Sequence, residues 1–187
     1  MRELENKNIV ITGASSGIGE KIAMLTAEKG ARPILIARSV DKLEKISGRI
    51  KKETGADCFV YSLDVSDIEQ VKKVFKQIRE EVGPIDVLLN NAGFGVFDTL
   101  QDAKYADLEN MFAVNVMGVI ACTKEALPSM LERNKGHIIN VASQAGKLAT
   151  PKSSGYAASK HAVLGFTNSI RLELMNTNIR VSTVNPG

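Results

Sequence analysis

The stretch Asn8-Ile9-Val10-Ile11-Thr12-Gly13-Ala14-Ser15-Ser16-Gly17-Ile18-Gly19 decides the fold. Asn8 to Thr12 reads as a short apolar strand, three glycines follow as a turn, and a helix is expected from about Gly17 to Lys29. Such a turn asks for glycine twice over. A tight reversal can demand φ > 0, and a backbone that approaches a pyrophosphate has no room for a Cβ. The unpaired N–H groups at the start of the helix then point at the phosphates. The spacing is G-x-x-x-G-x-G, not the commoner dinucleotide G-x-G-x-x-G, and Glu20 and Lys21 stand where a nucleoside-triphosphate loop has Lys and Ser or Thr. Gly13, Gly17 and Gly19 are therefore candidates for a dinucleotide site, against the plainer reading of a glycine turn without a ligand.

Beyond this stretch, short β-rich runs alternate with longer helical ones, the pattern of βαβ units and a parallel sheet. Further strands are expected at 33–37, 58–63, 85–89, 137–142 and 179–184. Helices are expected at 41–54, 67–81, 105–131 and 155–175. In the third helix Ile68, Val71, Val74, Phe75 and Ile78 form one stripe, with Ser66 or Asp67 as its cap. The 105–131 helix is apolar on nearly all sides between Leu108 and Leu127, so something must cover both of its faces. The strands read as near-continuous apolar runs, as strands buried on both sides do.

With 187 residues and 44% hydrophobic content, one domain with a real core is expected over 1–187. No consecutive apolar run approaches the roughly 18 residues of a membrane span, and Met1 to Glu5 carries no leader-like apolar segment. Cys58 and Cys122 lie in apolar stretches with no partner motif and read as reduced core fillers of a cytoplasmic protein. The net charge of +3 is dispersed, without a basic stripe interleaved with aromatics, so no nucleic-acid partner is expected. His137 and His161 have no ligand spacing around them, and no metal site is expected.

The second strand ends Ile36-Ala37-Arg38-Ser39. An acidic residue there would bind the ribose hydroxyls of NAD, whereas an Arg accommodates a 2′-phosphate. Arg38, with Ser39 and Ser15 as hydroxyl partners, favours NADP(H) over the alternative of a plain surface arginine. Asp64, ending the third strand, either accepts from an adenine amino group or caps a turn. Asn90-Asn91-Ala92-Gly93 follows the fourth strand at the same carboxyl edge, either as a nucleotide-contacting turn or as an ordinary loop.

At the far end, Gly155-Tyr156-Ala157-Ala158-Ser159-Lys160 places Tyr156 and Lys160 four apart, on one face of a helix. A lysine beside a phenol favours the phenolate and makes the tyrosine an acid/base. Ser143 ends the fifth strand and could bond a substrate oxygen. Asn115 is an amide in an apolar run, which could hold a water, support a backbone kink or knit two helices together.

These motifs together, with Asp64-Val65 and Pro186-Gly187, resemble the short-chain dehydrogenase/reductase family in its NADP-preferring, single-domain branch, from about Asn8 to Gly187. The resemblance implies an α/β Rossmann-type fold, a doubly wound parallel sheet of order 3-2-1-4-5-6 with helices on both faces. It implies an oxidoreductase acting between NADP(H) and a carbonyl or secondary alcohol. Tyr156 would be the proton donor or acceptor, Lys160 would lower the tyrosine pKa and bind the nicotinamide ribose, Ser143 would position the carbonyl, and Asn115 would hold a relay water. Ile18, with Ser16 beside it, would face the pyrophosphate, and Arg38 the 2′-phosphate. Asp64 and Val65 would contact adenine. Asn91, Ala92 and Gly93 would line the nucleotide site, Asn90 would stabilise the central strands, and Pro186 and Gly187 would flank the nicotinamide. Family members continue past this Pro-Gly with a substrate lid and a last strand, so the chain is expected to be C-terminally incomplete. A homodimer or homotetramer through the two long helices is expected on the same ground.

Two other readings stay open: a dinucleotide-binding sensor or scaffold without turnover, and an epimerase or dehydratase that retains its cofactor. Phe94, Val96, Phe97 and Leu148 lean toward an apolar or mixed substrate.

Overall fold

The computed structural model describes residues 4–148 and 150–187, so Met1–Glu3 of the N-terminal reading lie outside the described residues. Six parallel strands, β1 (Asn8–Thr12), β2 (Arg32–Ala37), β3 (Phe59–Ser62), β4 (Val87–Asn90), β5 (Gly136–Val141) and β6 (Ile179–Val184), form one sheet in the order β3-β2-β1-β4-β5-β6. The sheet is thus the Rossmann-like α/β arrangement that the alternation of elements anticipates. Between strands run α1 (Gly17–Glu28), α2 (Val40–Thr54), α3 (Ile68–Glu81), α4 (Tyr105–Phe112), α5 (Val119–Glu132) and α6 (Ser154–Glu173).

Side chains alternate across the strands and feed two cores. Ile9 and Ile11 join Leu35 and Leu89 beneath Ala23, Met24 and Ala27 of α1 and Leu43, Ile46 and Ile50 of α2. Val10, Ile34, Ile36 and Leu88 face the other way, against Val71, Phe75 and Ile78 of α3, Ala126 and Met130 of α5 and Ile170 of α6. Every residue of β1 is buried, which is why that strand carries no alternation in its sequence. Asp67 caps α3 by accepting from the Gln70 N–H at 3.0 Å, while Ser66 is held by Asp64 instead.

The 105–131 reading differs from the structure in one respect. Residues Ala113–Gly118 form a π-helical turn between α4 and α5. A π turn adds one residue to the winding and shifts the faces that follow. The stretch Tyr105–Glu132 is 28 residues long and holds an 18-residue window with a mean hydropathy of 1.2, enough by length and composition to cross a bilayer, and 44% of that window is buried within the fold.

A chain of polar side chains crosses the sheet inside the larger core. Asn90 of β4 donates to Thr123 of α5 (3.0 Å) and to Asn140 of β5 (2.8 Å), and Asn140 donates to Thr167 of α6 (2.8 Å). All four side chains are at most 2% exposed. Asn90 and Asn140 are register partners, so the ladder fixes the pairing of β4 with β5.

Candidate active site

The sheet order reverses beside β1: the chain winds outward through β2 and β3, then returns to start β4 on the other side. Loops that leave β1 and β4 therefore diverge, and the carboxyl ends of the strands open into a crevice. A cleft of about 730 Å³ lies there.

One end is built by the turn after β1. Gly13 and Gly17 have φ of +66° and +58°, the left-handed region that glycine takes without penalty. A Cβ on Gly19 would collide with the Gly13 carbonyl oxygen and lie 2.7 Å from Asn91 Nδ2. Glycine at 19 thus lets α1 press against the turn. Asn91 Nδ2 donates to the carbonyls of Thr12 (3.0 Å) and Gly13 (3.2 Å), and the Thr12 hydroxyl accepts from the N–H groups of Asn91 and Ala92. These bonds lock the β1 turn to the β4 loop. Arg38 is 3.8 Å from the Asp64 carboxylate, which also accepts from Ser66 N–H and Oγ at 3.0 and 2.7 Å. Burial works to raise the Asp64 pKa, but the Ser66 bonds and Arg38 prevail and hold it below its ordinary value. Of the two uses weighed for Asp64, turn capping is visible in the structure.

The other end is built by the loops after β4 and β5 and by the first two turns of α6. Lys160 is 5% exposed, its ammonium donates to the Val141 carbonyl at 2.9 Å, and it sits 5.8 Å from the centre of the Tyr156 ring. Desolvation pushes its pKa down to about 8. Ser143 Oγ accepts from the Ala145 N–H at 3.1 Å, leaving its own O–H to donate toward the cleft. Gln144 N–H donates to the Pro186 carbonyl at 2.9 Å, which seats Pro186 and Gly187 beside the β5 loop. Ala142 N–H donates to the Val184 carbonyl at 2.8 Å in the same way, so both bonds bind the end of β6 to that loop.

Eighteen of the residues singled out in the sequence line this one cleft: Gly13, Ser15, Ser16, Ile18, Arg38, Ser39, Asp64, Val65, Asn91, Ala92, Gly93, Phe94, Phe97, Ser143, Tyr156, Lys160, Pro186 and Gly187. Gly17, Gly19, Asn90, Val96, Asn115 and Leu148 do not. Asn115, fully buried in the π turn, donates to the Phe94 carbonyl (2.8 Å) and Ser159 Oγ (3.1 Å) and accepts from the Phe94 N–H (3.0 Å). Both of its N–H bonds are committed to protein, so its side chain holds the β4 loop in place. Asn110 and Val114 also line the cleft, and no motif or spacing in the sequence marks them. Thr12, the hydroxyl hub, is legible only as the last residue of a strand.

The residues fit a dinucleotide. The first N–H groups of α1 receive no side-chain cap from Ser16, and Ile18 beside them is 47% exposed. A helix start left open in this way is suited to a pyrophosphate.

The pattern that defines the short chain dehydrogenases matches residues 7–187. The chain belongs to the short-chain dehydrogenase family. Within that family it is 37% identical, over its whole length and 80% of the relative's, to an uncharacterized oxidoreductase of Staphylococcus saprophyticus. The L-sorbose reductase of Gluconobacter frateurii, solved with NADPH and L-sorbose, superposes with a TM-score of 0.95 at 33% identity, covering 100% of this chain and 71% of that one. A short chain dehydrogenase/reductase of Burkholderia phymatum, solved with NAD, gives a TM-score of 0.94 at 34% identity, covering 100% of this chain and 67% of that one. The chain is thus a short-chain oxidoreductase, and a nicotinamide dinucleotide suits its cleft.

Proposed function

We propose that the chain transfers a hydride between NADP(H) and the carbonyl or secondary alcohol group of a small substrate. The observation that carries this reading is one cleft with Arg38 at one end and Ser143, Tyr156 and Lys160 at the other. When bound, the nicotinamide supplies or accepts the hydride. The chain's own residues handle the charge and the proton. As negative charge grows on the carbonyl oxygen, the Ser143 hydroxyl and the Tyr156 phenol donate hydrogen bonds to it. Tyr156 gives its proton to that oxygen in reduction and takes it back in oxidation. An ordinary tyrosine, with a pKa near 10, is rarely ionised at neutral pH. The Lys160 ammonium, 5.8 Å from the ring centre and still mostly protonated at pH 7, sets a positive charge beside the phenol.

Relatives of similar identity were solved with either cofactor, NADPH in one and NAD in another. Arg38 supports the phosphorylated one, because its 75% exposed guanidinium offers a fork of donors to phosphate oxygens. The test is Tyr156→Phe, which removes the hydroxyl and keeps the ring. Turnover, followed by NADPH absorbance, is expected to fall at least about a hundredfold, with NADPH affinity retained. Turnover equal to that of the parent would remove Tyr156 from the proton transfer.

A further inference from the structure

Phe97 is 66% exposed, and its ring packs on the Tyr156 ring with 5.2 Å between centres and 55° between planes. A single exposed phenylalanine means little by itself. Here the surrounding chain is arranged to seat it. A Cβ on Gly95 would lie 2.6 Å from the far edge of the Phe97 ring and 3.2 Å from Tyr156 Cδ2, so any other residue there would push the Phe97 ring from its present seat. Asn115 holds both backbone groups of the adjacent Phe94. Phe94 and Val114 extend the apolar lining on this side of the cleft.

Among the described residues, the polar side chains lining this end are few. Ser143 and Tyr156 are assigned to the reacting oxygen, Lys160 is bonded to Val141, and Asn110 remains. A polyhydroxylated substrate would exchange hydrogen bonds with water for very few here, whereas an apolar group would cover the bare ring. We propose that Phe97 determines substrate choice, its ring forming an apolar wall beside Tyr156 that receives an aliphatic or aromatic substituent of the substrate carbonyl. This rests on the carbonyl-reductase reading of the same site.

The experiment compares acetophenone with L-sorbose as substrates of the full chain with NADPH. Acetophenone is expected to be preferred. Phe97→Ala should lower kcat/KM for acetophenone by about tenfold, equivalent to about 1.4 kcal/mol, chiefly through KM, and shift the acetophenone-to-sorbose ratio by a similar factor. Phe97→Leu should restore most of the preference. Gly95→Ala, which displaces the ring without deleting it, should reproduce the loss. Equal effects of Phe97→Ala on both substrates would overturn the proposal. Binding of acetophenone, read by saturation-transfer NMR in a Tyr156→Phe background, needs no turnover. If it depends on Phe97 while the parent chain reduces no ketone, the wall stands and the reductase reading fails. If acetophenone does not bind, or binds equally without the Phe97 ring, the wall fails.

Discussion

Lys160 is a buried ammonium, and replacing it with methionine should change how stability depends on pH. Its side chain is 5% exposed, and desolvation lowers its pKa from 10.5 to about 8. That gap converts to about 3 kcal/mol at 1.36 kcal/mol per pH decade. Below about pH 8 the group is protonated both folded and unfolded, and the folded state bears the whole desolvation cost. Between about 8 and 10.5 the folded chain releases the proton while the unfolded chain keeps it. The unfolded state then binds more protons, so this group makes stability rise with pH across that window. From about pH 7 to about pH 9.5 the parent chain should gain about 2 kcal/mol relative to Lys160→Met. Loss of the bond to the Val141 carbonyl shifts the variant by an offset that does not change with pH. Other titrating groups act alike in both proteins and cancel in the difference. Urea unfolding of both proteins without cofactor, at three pH values across the window, measures it. If the two stabilities run parallel, the ammonium is not desolvated, and its influence on Tyr156 cannot be argued from burial.

Gly19→Ala drives a Cβ into the Gly13 carbonyl oxygen, and it should lower stability by about 2 kcal/mol and weaken NADPH binding, read by urea unfolding and fluorescence titration. Gly48→Ala, in α2 with nothing within 4 Å of the new atom, should instead raise stability by about 1 kcal/mol, seen as a Tm increase of a few degrees. Opposite signs for one substitution in two helices would show that the approach of α1 to Asn91, not helix propensity, decides the first. Arg38→Asp should weaken NADPH far more than NADH in parallel fluorescence titrations, and equal losses would argue against a 2′-phosphate contact.

Elements whose burial is simple were legible in the sequence. The bounds expected for β1 and β6 coincide with those observed, because each is a short β-branched run closed by Gly or Asn-Pro-Gly. The glycine turn and the Tyr156–Lys160 pair were legible because both rest on local spacing. The π turn at Ala113–Gly118 was not, since one extra residue in a helical winding leaves no mark on an all-round apolar pattern. The clamp of Asn115 on Phe94, the hub at Thr12 and the contact of Phe97 with Tyr156 join residues 21 to 80 positions apart, or depend on the path of a loop. Residue type alone could not assign them. Asp64 illustrates the same limit: its position pointed to a ligand as readily as to the turn it caps.

The ladder Thr123–Asn90–Asn140–Thr167 has a consequence for how this sequence can drift. Each member meets the next through a donor and an acceptor, in a place water does not reach. Exchanging one alone for an apolar residue orphans a buried group at about 1–3 kcal/mol, while exchanging the set for well-packed apolar residues can be nearly neutral. These four positions, on two helices and two strands, should accordingly evolve as a single unit, drifting together or not at all.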